Sequence, residues 1–307
     1  MQIYSEGDVV KVKSPVVTTG TFDGVHVGHQ KIIARLKEVA KQGSGEIVVL
    51  TFYPHPRMVL HPDDHELKLL STESEKQKLL EYFGVQHLVI QSFTKQFSRL
   101  SSVNFIRDIL INKIGTKKLV IGYNHHFGRN REGSFEHLKE YGPVYGFEVE
   151  EIPAKDIDNI EVSSTKIRKA LQQGDIKTAN TFLGYEYCIT GRVVKGKQLG
   201  RELGYPTANL VIDDRYKLIP ADGIYVVKVK LGGAEKNGMM SIGLNPTVNG
   251  GSRTIEVNIF EFDKEIYGEE LTVNFIEKIR DEKKFENLEQ LKDQLAQDML
   301  YSLSKLK

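Results

Sequence analysis

The order of elements changes kind near residue 184, and that change restricts the chain to two domains of different class. Before it, strand-like runs at residues 16–19, 47–52, 87–93, 118–122 and 147–152 alternate with helical patterns. Such alternation implies a parallel sheet with helices on its faces. Two short helical patterns, broken at Gly174, follow over residues 165–183. Beyond Gly184-Tyr185, strand-like runs at 187–194, 223–231, 238–243, 253–262 and 271–275 succeed one another with only turn residues between them. A small antiparallel barrel is the simplest closure. From Glu286 onward, Leu288, Leu291, Leu295, Met299 and Leu303 share one helical face, which predicts a terminal helix covering the barrel. The expected domains are residues 1–184, α/β and Rossmann-like, and residues 185–307, a β-barrel with a terminal helix. At 307 residues the chain can bury two modest cores.

The turn between the first strand and the first helix carries chemistry. Residues 16–19 are β-branched, and Ile32, Ile33, Leu36, Val39 and Ala40 mark one face of a helix over 30–41. Between them lies Gly20-Thr21-Phe22-Asp23-Gly24-Val25-His26-Val27-Gly28-His29. Gly20, Gly24 and Gly28 permit close backbone approach, and the N–H groups opening a helix offer positive charge to a phosphate. His26 and His29 add imidazole donors, which can hydrogen-bond phosphate oxygens neutral or protonated. The segment reads as a nucleotide-phosphate site. Farther on, the hydroxyls of Ser163, Ser164 and Thr165 can cap a helix, and Arg168, one turn inside, can reach a triphosphate above that terminus. Thr51-Phe52-Tyr53-Pro54-His55-Pro56 forms a turn at the sheet's carboxyl edge, where such sheets bind ligands, and His55 there suits a turn or a ligand equally.

In the second half, Gly191 to Lys197 nearly spells a Walker loop, but Gln198 stands where a magnesium-binding hydroxyl belongs and no helix pattern follows. Gly196 and Gly200 permit a tight loop there instead. Thr207 and Asn209, close behind it, bring a hydroxyl and a side-chain amide. In the strand over 254–259, Ile255, Val257 and Ile259 share one face, which frees Glu256 on the other.

Net charge is +1 without a block of Lys or Arg, so nucleic acid is not expected as a partner, and small anions fit better. Cys188 is the only cysteine, which excludes an intramolecular disulfide and a cysteine-rich metal site. Residues 1–13 lack an apolar signal core, and the apolar runs are too short to cross a bilayer, so a cytoplasmic protein without membrane partners is expected.

These motifs carry a resemblance. The first turn resembles the G-x-F-D-G-x-H-x-G-H form of the H-x-G-H motif of nucleotidyltransferases, as in bacterial FAD synthetases. Val162-Ser-Ser-Thr-Lys-Ile-Arg168 resembles their S-S-T-x-I-R segment, and Phe52 to Pro56 their F-x-P-H-P segment. The loop from Gly122 to Gly128 is similar to their G-x-[D/N]-F-x-F-G pattern, with His125 in place of an aromatic. Residues 191–210, ending in Gly204-Tyr205-Pro206-Thr207-Ala208-Asn209-Leu210, resemble the riboflavin kinase pattern G-x-P-T-A-N. The whole chain thus resembles bifunctional bacterial riboflavin kinase/FAD synthetases. The resemblance implies ATP-dependent phosphorylation of riboflavin to FMN by the C-terminal domain and transfer of AMP from a second ATP to FMN, giving FAD, by the N-terminal domain, with Mg2+. It implies catalytic roles for Glu256 as general base and for His26, His29 and Arg168. ATP contacts are implied at Gly20, Phe22, Asp23, Gly24, Gly28, Asn124, Ser163, Ser164, Thr165, Gly196, Lys197, Gly200, Thr207 and Asn209. Flavin contacts are implied at His55, Pro56, His125, Phe127, Asn245 and Arg280, and metal ligation at Thr207 and Asn209. A nucleotidyltransferase for another phosphorylated substrate would leave residues 191–209 unexplained. A flavin-binding regulator without activity would have little use for His26, His29, Thr207, Asn209 and Glu256 together.

Overall fold

The computed structural model describes residues 1–64, 67–123, 125–153, 162–196, 199–244 and 253–306. They divide into two compact units, Met1–Ser164 and Thr165–Lys307.

In the first unit, β1 (Gln2–Tyr4), β2 (Pro15–Thr19), β3 (Glu46–Tyr53), β4 (His87–Ser92), β5 (Lys118–Gly122) and β6 (Glu148–Ile152) form one sheet in the order β1-β4-β3-β2-β5-β6, every pairing parallel. The five expected strands are present. Around them lie α1 (Val27–Gly43), α2 (Pro56–Leu60), α3 (Glu73–Tyr82), α4 (Ser102–Asn104, continuing as a π-helix over Phe105–Lys113) and α5 (Phe135–Tyr145). Thr72 and Glu75 form a capping box at the start of α3, and the Ser101 hydroxyl accepts from the Asn104 amide at the start of α4.

Strand alternation splits the core by face. Val17, Leu50, Leu119 and Ile121 pack with Phe105, Ile106, Leu110 and Phe127 on one face. On the other, Val16, Ile47 and Val120 meet Leu36 and Val39 of α1, while Val49 and Leu88 meet Phe22, Val25 and Ile33. The chain winds from β2 outward through β3 to β4, then returns to β5 on β2's opposite side. A doubly wound sheet opens a crevice at such a reversal, beyond the carboxyl ends of the two strands, here β2 and β5.

The second unit begins one residue into α6 (Ser164–Gln172), which Gly174 at φ +75 separates from α7 (Ile176–Leu183). Strands β7 (Cys188–Val194), β8 (Ala208–Val211), β9 (Gly223–Leu231), β10 (Ala234–Leu244), β11 (Arg253–Ile259) and β12 (Glu270–Arg280) close a barrel in the order β10-β11-β8-β7-β12-β9, with a short α8 (Leu199–Glu202) between β7 and β8. Strand β8 gave no signal in the sequence reading, since only four residues pair there. The terminal helix α9 (Leu288–Lys305) is present, but its buried line differs from the leucine stripe. Asp298 and Ser302 are its fully buried residues, Leu291, Leu295 and Met299 are half-buried, and Leu288, at the start of the helix, is 66% exposed. The cause is an ion pair: Asp298 Oδ2 accepts from Arg280 Nη2 at 2.7 Å, so the helix docks through a charge.

The pattern boundary at 184 and the boundary of the compact units differ because α7 packs on β12 of the barrel. Asn180 Nδ2 donates to the Phe275 carbonyl at 2.9 Å, and the Tyr187 amide donates to Asn180 Oδ1 at 2.8 Å. A fragment of residues 165–307 is therefore expected to be more stable than one of residues 185–307. Two hydrogen bonds at about 1 kcal/mol each and burial of Leu183 at about 2 kcal/mol correspond to a Tm difference on the order of 10 °C. Equal melting temperatures by calorimetry would show that α6 and α7 contribute nothing to the barrel.

Candidate functional sites

In the first unit, α1 starts at Val27 rather than Gln30, and His26 is its N-cap residue. His29 thereby falls in the first helical turn, and the two rings stack with centroids 3.8 Å apart. Gly28 is what admits this stack, since a Cβ there would stand 3.2 Å from the His26 ring. Phe22, itself buried, lies beneath His29 at 4.8 Å between centroids. Burial and the neighbouring His26 push the His29 pKa well below its ordinary value, so His29 is a neutral imidazole at pH 7. Its Nδ1 is buried and has no hydrogen-bond partner among the described residues.

The turn before α1 is pinned by the protein itself. Asp23 Oδ1 accepts from the amides of Leu70 (2.9 Å) and Ser71 (3.2 Å), and the Ser71 hydroxyl accepts from the Gly24 amide at 3.1 Å. Gly24 has φ +76, a conformation that favours glycine. The Ser164 hydroxyl donates to the Asp23 carbonyl at 3.1 Å, so the S-S-T segment is fastened to the histidine turn. Asp23 and Phe22 thus shape the turn: one carboxylate oxygen holds two amides, and the ring faces the core. Ser163 and Thr165 are exposed, and Arg168 is half-buried one turn along α6 from Ser164.

At the carboxyl end of β3, the His55 imidazole caps α2, its Nδ1 accepting from the Arg57 amide at 3.2 Å, and Pro56 is the first residue of that helix. Both have a local structural task. After β5, Asn124 lies outside the described residues. The His125 ring lies nearly parallel to Phe127, centroids 6.0 Å apart and planes 20° apart, so a histidine occupies the aromatic position as a stacked ring. Burial, with His126 and Arg131 nearby, pushes its pKa down to about 4, and its Nε2 is buried without a partner among the described residues. The linkage sign follows: an unfolded His125 binds its proton near pH 6.5 and the folded one near 4, so stability is lost as pH falls through that window. His125→Phe should flatten the decline of Tm between those limits. An unchanged slope would place the loss elsewhere.

In the second unit, the β8–β11 pairing sets Asn209 opposite Glu256 and Ala208 opposite Val257. The Thr207 hydroxyl donates to Glu256 Oε2 at 3.0 Å. The structure therefore brings Thr207, Asn209 and Glu256 together, as expected. Gly196 packs directly on the Asn209 amide, and any side chain there would displace it. Gly200 lies as closely against the Tyr205 carbonyl. Lys197 and Asn245 lie outside the described residues. Arg280 has its guanidinium on Asp298 and its Nη1 on the Asp281 carbonyl at 3.1 Å, which is an anchoring role for α9.

Thr207 lines a cavity of about 360 Å³ with Val193, Pro206, Val257, Ile259 and Phe262, whose polar side carries both Arg201 and Lys264 and the carboxylates of Asp263 and Glu265. Its volume suits a nucleoside-sized group. The sequence reading missed Asn258, which is buried and donates through Nδ2 to the Pro206 carbonyl at 2.7 Å, fixing the turn that presents Thr207. The signal was available: Asn258 follows Glu256 by two residues on the same strand face.

Two family models match the chain, FAD synthetase over residues 10–166 and riboflavin kinase over residues 183–305. The bifunctional riboflavin kinase/FMN adenylyltransferase of Listeria monocytogenes is 37% identical over 284 residues, 92% of this chain and 90% of that protein. That of Escherichia coli K12 is 36% identical over 287 residues, 93% and 90% of the two chains. The chain belongs to the bifunctional riboflavin kinase/FMN adenylyltransferase family. Its N-terminal part is the FAD synthetase and its C-terminal part the riboflavin kinase of that family. A crystal structure described as a macrolide-efflux protein from Streptococcus pneumoniae superposes with a TM-score of 0.89 at 35% identity, covering 98% of this chain and 99% of that one. Among the described residues of this family member, no helix is long and apolar enough to cross a membrane.

Proposed function

We propose that this riboflavin kinase/FMN adenylyltransferase runs its two reactions on separate residue sets: His26 and His29 with Ser164 for transfer of AMP, and Glu256 with Thr207 and Asn209 for phosphorylation of riboflavin. The contact that carries the second assignment is the Thr207–Glu256 hydrogen bond. It ties the carboxylate to Thr207, which itself lines the nucleoside-sized cavity. Riboflavin brings a neutral hydroxyl, so its proton must leave as its oxygen attacks the γ-phosphorus and the bond to ADP breaks; Glu256 receives that proton.

Mg2+ fits this corner by the chemistry of its donors, all hard oxygens. The Thr207 proton is committed to Glu256, which leaves the hydroxyl's lone pairs for a cation beside the Asn209 amide oxygen. The ion would supply charge neutralisation of the transferring phosphate.

In the first unit the nucleophile is the ionised phosphate of FMN. Its oxygen attacks the α-phosphorus of ATP, the bond to the β-phosphate oxygen breaks, and pyrophosphate departs without any proton being removed. The stacked histidines, at the N-terminus of α1, face the developing charge as imidazole donors backed by the helix dipole. The flavin ring is assigned to the other side of the crevice. There the half-buried Phe52, Phe93 and Phe97 neighbour one another with centroids 5.6–5.9 Å apart, backed by the core rings Phe105 and Phe127, which suits a planar aromatic acceptor. The location proposed is the cytoplasm, supported by the single cysteine. Incubation with riboflavin, ATP and Mg2+, with FMN and FAD resolved by chromatography for each variant, tests these assignments; a variant of one set that loses the other set's product would refute them.

A further inference from the structure

One buried charge close to the histidine turn has no part in the mechanism above. Lys76, the fourth residue of α3, is 7% exposed. Its ammonium pairs with Glu73 Oε2 at 2.8 Å and donates to Thr51 Oγ1 at 3.4 Å. Glu73 Oε1 is buried without a partner among the described residues. A buried ion pair is weak evidence for stability, since an apolar pair of similar volume often serves as well or better. Retention of this one points to another task, and its placement says which.

Thr51, fully buried near the carboxyl end of β3, follows Val49 by two residues. It therefore shares the face on which Val49 meets Phe22, Val25 and Ile33. Leu80, one turn beyond Lys76 on α3, packs in that same cluster. The Thr51 hydroxyl accepts from Lys76 and donates its own proton to the Thr21 carbonyl at 3.2 Å. Lys76 thus reaches, through one side chain, the peptide that opens the histidine turn. That turn is strained: Phe22 has φ +49, and Val25, a β-branched residue, has φ +35. Such conformations persist only where the surroundings over-determine them. Asp23 and Ser71 hold the turn after Phe22, and Lys76, through Thr51, holds it before. Phe22 lies beneath His29, so a shift at Thr21 moves the ring on which the histidines rest.

We infer that Lys76 is a positioning residue for AMP transfer: through Thr51 it holds the Thr21 carbonyl, and with it the strained turn that sets His26 and His29 against the transferring phosphate. This rests on the assignment of the two histidines to that reaction. Lys76 itself touches neither the substrates nor the reacting atoms, and Glu73 balances its charge.

The test is steady-state adenylylation of supplied FMN by the full chain carrying Glu73→Gln/Lys76→Met, which removes both charges together, Thr51→Val, or all three substitutions. Methionine fills the space of the lysine stem, and valine keeps the shape of threonine. The first two variants should each lower kcat by about 10- to 100-fold, the scale for a catalytic group displaced by roughly 1 Å. The KM for ATP and for FMN should stay near the parent values. The three substitutions together should lower kcat to within about 2-fold of the larger of the two losses, because both act through one carbonyl. Thr51→Ser, which keeps the hydroxyl, should restore most of what Thr51→Val loses. A merely structural ion pair would lower Tm and leave kcat alone. If the charge-free variant does not fold, Thr51→Val and Thr51→Ser decide. Unchanged kcat in the folded variants, losses that multiply in the combined variant, a Thr51→Ser no better than Thr51→Val, or a rise in KM for ATP with kcat intact overturns the inference. Failure of the underlying assignment reads differently: His26→Ala/His29→Ala would then still make FAD, whatever the Thr51 variants do.

Discussion

With His26 and His29 both replaced by alanine, riboflavin is expected to stop at FMN. Removing one preorganised donor to a developing oxyanion costs roughly 10²–10³-fold, and two donors stacked at one helix terminus act on the same charge, so FAD formation should fall by at least about 10³-fold. The FMN that the kinase makes should accumulate, because Glu256, Thr207 and Asn209 are untouched. The substitution removes the 3.8 Å ring stack and the contact with Phe22 but leaves the Asp23 and Ser71 bonds that hold the turn. Circular dichroism serves as the control for folding. Loss of both products from a folded variant, or undiminished FAD, would count against the histidines as the charge-stabilising pair.

The second large effect is expected from Glu256→Gln. Glutamine keeps the size of the side chain and an oxygen to accept from Thr207, so the corner stays assembled while the base is lost. General-base contributions run at about 10²–10⁴-fold, and turnover of riboflavin to FMN should drop by that factor. Adenylylation of supplied FMN should persist, since its nucleophile arrives ionised. Near-normal phosphorylation would return Glu256 to the role of a solvated strand residue.

Much of this was legible in the sequence because the chemistry sits in short continuous segments. The alternation of strands and helices, the reversal to strands alone after Gly184, the histidine turn and the Thr207–Asn209 turn are all local patterns, and the structure contains them. Three kinds of information were not local. Asp23 reads as a ligand contact in a glycine-rich turn, but its two partners, Leu70 and Ser71, are nearly fifty residues away, and only the fold makes it a strut. Arg280 is implied as a flavin contact, but the pairing of its guanidinium with Asp298 adds a charged residue to the inner face of α9 beside the half-buried Leu291, Leu295 and Met299. The compact boundary moved from 184 to 164 because amphipathic α7 satisfies its hydrogen bonds on β12, a pairing that helical periodicity does not reveal. The state of His125 was not legible either: burial, with His126 and Arg131 nearby, pushes its pKa down to about 4, which the loop's sequence alone does not reveal.

The claim that each reaction has its own residues is tested most directly by mixing the two disabled proteins. Glu256→Gln cannot start from riboflavin, and His26→Ala/His29→Ala cannot finish at FAD. Because FMN is a free small molecule, an equimolar mixture supplied with riboflavin, ATP and Mg2+ should make FAD, although neither variant alone does so at a comparable rate. A mixture of folded variants that leaves riboflavin unconverted, or that stops at FMN, would contradict the account.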